Sequence, residues 1–150
     1  MDVTTDAAVR TLVDRAEIAD LVAHLGVVLD EGRFDDMADL LVEEVTARTP
    51  GGRAEGRTAV IAQARKNHRS DFAIQHVISD VVVVDVDGDR ADVRANLVVS
   101  FAEVVPVVAP PVTYALGEVY RFVVVRTVQG WRLAEVETVP VWMSGQRPVT

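Results

Sequence analysis

The hydrophobic pattern of this chain changes period once. From Ala8 to Leu29 the apolar residues Leu12, Ile18, Leu21, Leu25, Val28 and Leu29 recur at steps of three and four, the spacing of an amphipathic α-helix turned towards a core. Thr5 or Asp6 can cap this helix and Gly32 stops it. Phe34, Met37, Leu40 and Leu41 predict a second, shorter helix, and Glu43 to Thr49 an edge strand that ends at the turn Pro50-Gly51-Gly52. A third helix follows, with Thr58 as N-cap and Val60, Ile61 and Ala64 inward, and it ends in the polar run Arg65 to Ser70.

After Asp71 the period becomes two. Ile74 to Asp89 reads as one long β-strand running into a tight turn, where Asp87-Gly88 favours a type I′ hairpin. The return strand, Arg90 to Phe101, puts Ala91, Val93, Ala95, Leu97 and Val99 on one face and Asp92, Arg94, Asn96 and Ser100 on the other. Ala102 to Thr113 is a connection rich in Val and Pro, too broken by proline to lie inside a sheet. Tyr114 to Arg126 and Trp131 to Trp142 form a second long hairpin around Val128-Gln129-Gly130. Helices first and a long antiparallel sheet afterwards is an α+β order. Strands of a dozen residues span roughly 40 Å, so the sheet should curl and enclose space that the helices close.

Composition narrows the classes of function. The 150 residues, 49% of them hydrophobic, fit one domain over the range 1–150, and the prolines fall in turns, a loop and the tail (Pro148) rather than in a linker. A net charge of −8 repels both a phosphate backbone and an anionic membrane surface, so neither nucleic acid nor membrane is an expected partner. Without cysteine there is no disulfide, no thiolate metal site and no cysteine nucleophile. The first residues lack the basic start and apolar core of a signal peptide, and no apolar run reaches the roughly 18 residues that span a bilayer, so a cytoplasmic protein is expected.

Two motifs dissolve on inspection. Gly51 to Thr58 mimics a phosphate-binding loop, but Arg57 replaces the lysine, Glu55 repels phosphate, and no parallel sheet surrounds it. Asp85 to Asp89 resembles a calcium loop, yet its glycine falls at the fourth position instead of the sixth, and Asn96 stands where a bidentate Glu is required. His24, His68 and His76 lack the spacing of a zinc site, so no metal is expected. His68, among Arg65, Lys66 and Arg69, reads as a solvated helix end, and His24 as the edge of the core.

His76 is different, because regular alternation places it on the face of Ile78, Val82, Val84 and Val86. Asp80 interrupts that alternation and predicts a bulge near Ser79-Asp80 that changes the facing. An imidazole in such a place is either a satisfied core residue, the reading alternation alone favours, or a base whose partner is a carboxylate. Asp30 is the candidate partner, at the unfavourable negative end of the first helix; its other reading is a solvated residue of the acidic stretch Asp30-Glu31-Gly32.

The ordered set Ala23 to Phe34, Gly56 to Ile61, Gln75-His76-Val77-Ile78 and Trp131-Arg132-Leu133-Ala134 resembles the SnoaL-like branch of the nuclear transport factor 2-like superfamily, and is similar in particular to scytalone dehydratase and bile-acid 7α-dehydratase. That resemblance implies a cone-shaped α+β barrel, a curved, mixed and mainly antiparallel sheet packed around N-terminal helices, with a deep cavity. It also implies that Asp30 and His76 match the catalytic aspartate and histidine of the dehydratases. Leu25 departs from the pattern where bile-acid dehydratase has a tyrosine, and Asn96 falls at or beside a second polar pocket position. The base of ketosteroid isomerase would fall near Thr49-Pro50, where no carboxylate exists.

The resemblance thus implies a cofactor-independent lyase (dehydratase), isomerase or cyclase for an apolar oxygenated molecule of polyketide, terpenoid or steroid-like character. Asp30 and His76 would be its acid–base pair, and Leu25, Asn96, Tyr120, Val136 and Trp142 its pocket, with Val104 to Val112 as a lid or subunit contact. Two alternatives stay open: a non-catalytic binding or dimerisation module of the same fold, and an epoxide hydrolase or cyclase using Arg94 and Asn96. Apolar residues on both faces of the long strands predict a homodimer or homotrimer.

Overall fold

The computed structural model describes residues 2–147, so Met1 and the tail proline Pro148 lie outside it. Helix α1 spans Val3–Asp30 and is capped by the Asp2 carboxylate. It therefore begins five residues before the predicted start, and neither Thr5 nor Asp6 is the cap. Its first turns touch no core, and Leu12, expected inward, is 66% exposed. With no surface to bury there, the sequence carries no apolar period for that part of the helix. From Ile18 onward the expected stripe of Ile18, Leu21, Leu25, Val28 and Leu29 is buried, joined by Val22.

The second helix is a short 3₁₀ segment, Phe34–Asp39, that buries only Met37. Leu40 and Leu41 leave it, and Leu41 opens strand β1 (Leu41–Thr49). Strand β2 (Gly52–Glu55) pairs outside β1, so β1 is not the edge that its sequence predicts. Four mostly exposed residues carry no alternation by which β2 could be recognised. Helix α2 (Arg57–Asn67) has Gly56, not Thr58, as its N-cap. Strands β3 (Phe72–Asp87), β4 (Arg90–Glu103), β5 (Val112–Thr127) and β6 (Gly130–Gly145) complete the order β2-β1-β6-β5-β4-β3. Among the described residues only the β1–β6 pair is parallel. The sheet is a curved, open wrap around α1 rather than a closed cylinder, with β2 and β3 as its two edges.

The bulge expected near Ser79-Asp80 is present: register breaks between Ser79 and Val82, and Asp80 takes φ 51°. An extra residue turns the next side chains over, so Val83 is buried while Val82 and Val84, expected on the face of His76, are exposed; a second register shift between Val83 and Asp85 returns Val86 to the core side, as expected. The hairpin after β3 has Gly88-Asp89 as its two loop residues, and of these only Gly88 has positive φ, at 59°. That is the pattern of a type II′ turn, with glycine first, and not of the expected type I′ turn.

Two contacts fix α1 on the sheet. Asp14, buried in the middle of the helix, accepts two hydrogen bonds of 2.9 Å from Arg126 of β5 and one of 3.2 Å from the Trp131 indole of β6. The Arg126 guanidinium lies 4.4 Å over the Trp131 ring and holds the Asp14 carboxyl below its usual range through those hydrogen bonds. Further along, a Cβ added at Gly26 would come within 3.0 Å of Ile78, so the helix backbone runs close against β3 there. No helix among the described residues is long and apolar enough to cross a membrane.

Candidate active site

That close approach at Gly26 decides where Asp30, one turn later, arrives. Strand β3 is an edge strand, so the backbone N–H groups on its outer side have no ladder partner. Asp30 takes one of them: the His76 backbone N–H donates to its carboxylate at 2.8 and 3.1 Å. The His76 ring then donates from Nδ1 to Asp30 Oδ1 at 2.7 Å. A carboxylate at the negative end of a helix is thereby compensated by two donors of one residue. The His76 ring is only 5% exposed and the Asp30 side chain 27%. Because an ionised carboxylate only accepts, the contact fixes Nδ1 as the protonated nitrogen and leaves Nε2 to face the interior.

The other ring nitrogen meets His68, and here the sequence expectation fails. His68 is not a solvated helix end; it folds inward from the end of α2, its Nδ1 donating to the Ala64 carbonyl at 2.6 Å. Its ring stacks on that of His76, with centroids 5.1 Å apart, and touches Phe34 on the other side. Burial, followed by the repulsion of His76, pushes the His68 pKa down to about 4. The two Nε2 atoms are 3.3 Å apart. With both Nδ1 atoms donating, each neutral ring turns the lone pair of Nε2 towards the other, so a proton taken up by His76 Nε2 has His68 as its acceptor. The missed signal was periodic: His68 follows Ala64 by four residues on the inward face of α2. His24, expected at the core edge, is exposed and bonds to the Asp20 carbonyl.

His68 and His76 line a cavity of about 190 Å³ beneath the sheet. Of the expected pocket residues, Leu25, Tyr120 and Val136 line it, together with Leu97, Val99, Phe101 and Leu116. Tyr120 is buried, which pushes its phenol pKa up, with Glu118 and Asp30 adding to the shift. Asn96 does not line the cavity. It lies on the opposite face of β4 from Leu97 and donates to Asp80 at 2.8 Å, tying down the bulge. Trp142 is also outside: it is 47% exposed and lies over Gly117 at the far end of the sheet. The segment from Val104 to Val112 stays off the cavity as well, with its valines in solvent. Among the described residues, no three His, Asp or Glu side chains are grouped to hold a metal ion.

One lining residue was passed over in the sequence. Glu118 is buried on the inner face of β5, where its carboxyl faces the same cavity. Burial raises its pKa above the ordinary carboxylate range, and Thr138, His76 and Arg147 offset part of that rise. The alternation did mark it, since Glu118 is in phase with Leu116, Tyr120 and Phe122.

The fold recurs in solved proteins. A nuclear transport factor 2-like protein with a cystatin-like fold from Novosphingobium aromaticivorans is 28% identical, covering 93% of this chain and 90% of that one, with a TM-score of 0.73. A scytalone dehydratase-like protein of Novosphingobium aromaticivorans DSM 12444 superimposes with a TM-score of 0.79 at 20% identity over 93% and 91% of the two chains. A hexachlorocyclohexane dehydrochlorinase does so with a TM-score of 0.79 at 14% identity over 95% of each. Comparison with curated protein sequences gives no match. The fold is thus one that small-molecule enzymes of the dehydratase type use. The sequence itself matches the SnoaL-like domain across residues 10–137, and the chain belongs to that family.

Proposed function

We propose that this protein is an acid–base enzyme, a dehydratase or isomerase that moves a proton on a compact, apolar, oxygenated molecule. The observation that carries this reading is the 2.7 Å hydrogen bond between Asp30 and the His76 ring at the wall of an apolar cavity. Asp30 holds His76 in one tautomer and stabilises its protonated form, so Nε2 is the atom that exchanges a proton with substrate. It takes a proton from carbon next to a carbonyl and returns it to another carbon, or a hydroxyl departs as water. His68, in contact with that Nε2, is placed to pass the proton on when no substrate lies between them. A pair of this kind contributes roughly 10²–10⁴-fold, and orientation in a dry cavity contributes further.

The test needs no knowledge of the natural substrate. Compact aryl ketones such as 1-tetralone are incubated with the protein in D₂O, and loss of the α-proton is followed by NMR. His76→Ala and Asp30→Asn should each lower the exchange rate about 100-fold or more while the far-UV circular dichroism stays that of the wild type. Exchange at the wild-type rate in both variants would sink the proposed roles.

A further inference from the structure

Glu118 holds the one carboxyl among the described residues that is both buried and missing a hydrogen-bond partner. It is 7% exposed, lines the cavity, and its Oε1 bonds to nothing. The groups that face it are His76 from β3, Tyr120 from its own strand, Thr138 from β6, and Arg147 beyond β6. The Thr138 hydroxyl lies beside it but is itself without a hydrogen-bond partner. Arg147 and His76 favour the charged form, but burial outweighs them and favours the protonated carboxyl, which is neutral and becomes a donor.

Register places this donor relative to the dyad. His76 pairs with Val99, Val99 pairs with Leu116, and Glu118 is the next inward residue on β5. The two backbones are therefore about 10 Å apart across the sheet and about 7 Å apart along it, with both side chains rising into one cavity. A ligand can lie between them and touch both.

We propose that Glu118, as a neutral carboxylic acid, is the group that binds the ligand's oxygen, so that the cavity selects compact neutral ketones and alcohols over hydrocarbons and ammonium ions. Resting on the acid–base reading of His76, the carboxyl is also the acid of a dehydration. His76 Nε2 takes the proton from carbon, the C–H pair becomes the new C=C bond, and the C–O bond breaks. The departing hydroxide takes the Glu118 proton and leaves as water, and the proton on His76 then returns to the Glu118 carboxylate through water in the cavity.

Three probes of one shape test the donor without any turnover: acetophenone, ethylbenzene and 1-phenylethylamine in its ammonium form. By NMR titration, acetophenone should bind wild type and Glu118→Gln several-fold tighter than ethylbenzene, up to about tenfold, and Glu118→Leu should lose that preference. His76→Ala should keep it, so failure of the dyad and failure of this donor give different results. Tightest binding by the ammonium probe, or a ketone preference unchanged in Glu118→Leu, overturns the proposal. A second measurement stands apart from any ligand: in protein labelled with ¹³C at glutamate carboxyls, the signal that disappears in Glu118→Gln should titrate above the ordinary glutamate range. Titration within that range also overturns the proposal.

Discussion

Replacing His68 with phenylalanine keeps a ring between Phe34 and His76 but removes the group that titrates. The His68 pKa is about 4 in the folded protein, first because of burial and then because of His76, against an ordinary value of 6.5. The unfolded chain therefore binds the proton more readily, and stability must rise with pH wherever that difference is felt. The contribution is fully present above the unfolded value and is lost as pH falls towards the folded one. Between about pH 7 and about pH 4.5 the loss from this residue alone is about 2 kcal/mol, from 1.36 kcal/mol per unit with the folded form still mostly neutral. Urea unfolding across that interval measures it, and the carboxylates that titrate in both proteins cancel in the difference. Wild type should lose about 2 kcal/mol more than His68→Phe on acidification. Parallel curves would mean that His68 is hydrated and that its burial against His76 does not hold it neutral.

Asp14→Ala should cost about 2–3 kcal/mol at neutral pH, because it removes two hydrogen bonds from Arg126, which keeps only Asp89, and strands the Trp131 indole. Since Arg126 lowers the Asp14 pKa, that cost should shrink as pH falls below the ordinary carboxylate range, which denaturant melts at two pH values would show. Gly26→Val should push α1 away from Ile78 and His76, so α-proton exchange should fall more than tenfold in a protein that still melts cooperatively. An unchanged rate there would show that the helix approach does not set the dyad. Trp142→Ala should leave acetophenone affinity within about twofold of wild type, because that ring is outside the cavity, whereas Val136→Trp should abolish binding by filling it.

Where a residue buries one side against a regular neighbour, its place could be read from spacing. The stripe of α1, the inward face of β4 and the bulge at Asp80 all belong to this class. Much of what spacing missed at the site is the buried polar side chain, whose surroundings are set by other elements of the fold. Asp14 is buried because Arg126 reaches it, 112 residues away. His68 looked like part of a cationic surface run, but at the end of α2 its ring turns inward and meets that of His76. Glu118 was in phase with apolar neighbours, which marked it as inward. Asn96 shows the converse: family position suggested the pocket, but the period of two placed it on the outer face, and the period was right.

The dyad depends on β3 being an edge strand. In an interior strand the N–H of His76 would be bonded to a neighbouring strand, and Asp30 would hold the imidazole by a single contact that the ring could swing away from. At the edge, the carboxylate is anchored first by the backbone N–H, at 2.8 Å, and only then by the ring, at 2.7 Å. The backbone contact survives any change of side chain at position 76, so Asp30 should keep its place in His76→Ala. An exposed sheet edge is ordinarily a liability. Here the end of α1 covers it, and the same carboxylate that satisfies the edge orients the base, so closing the fold and preparing the site are one event.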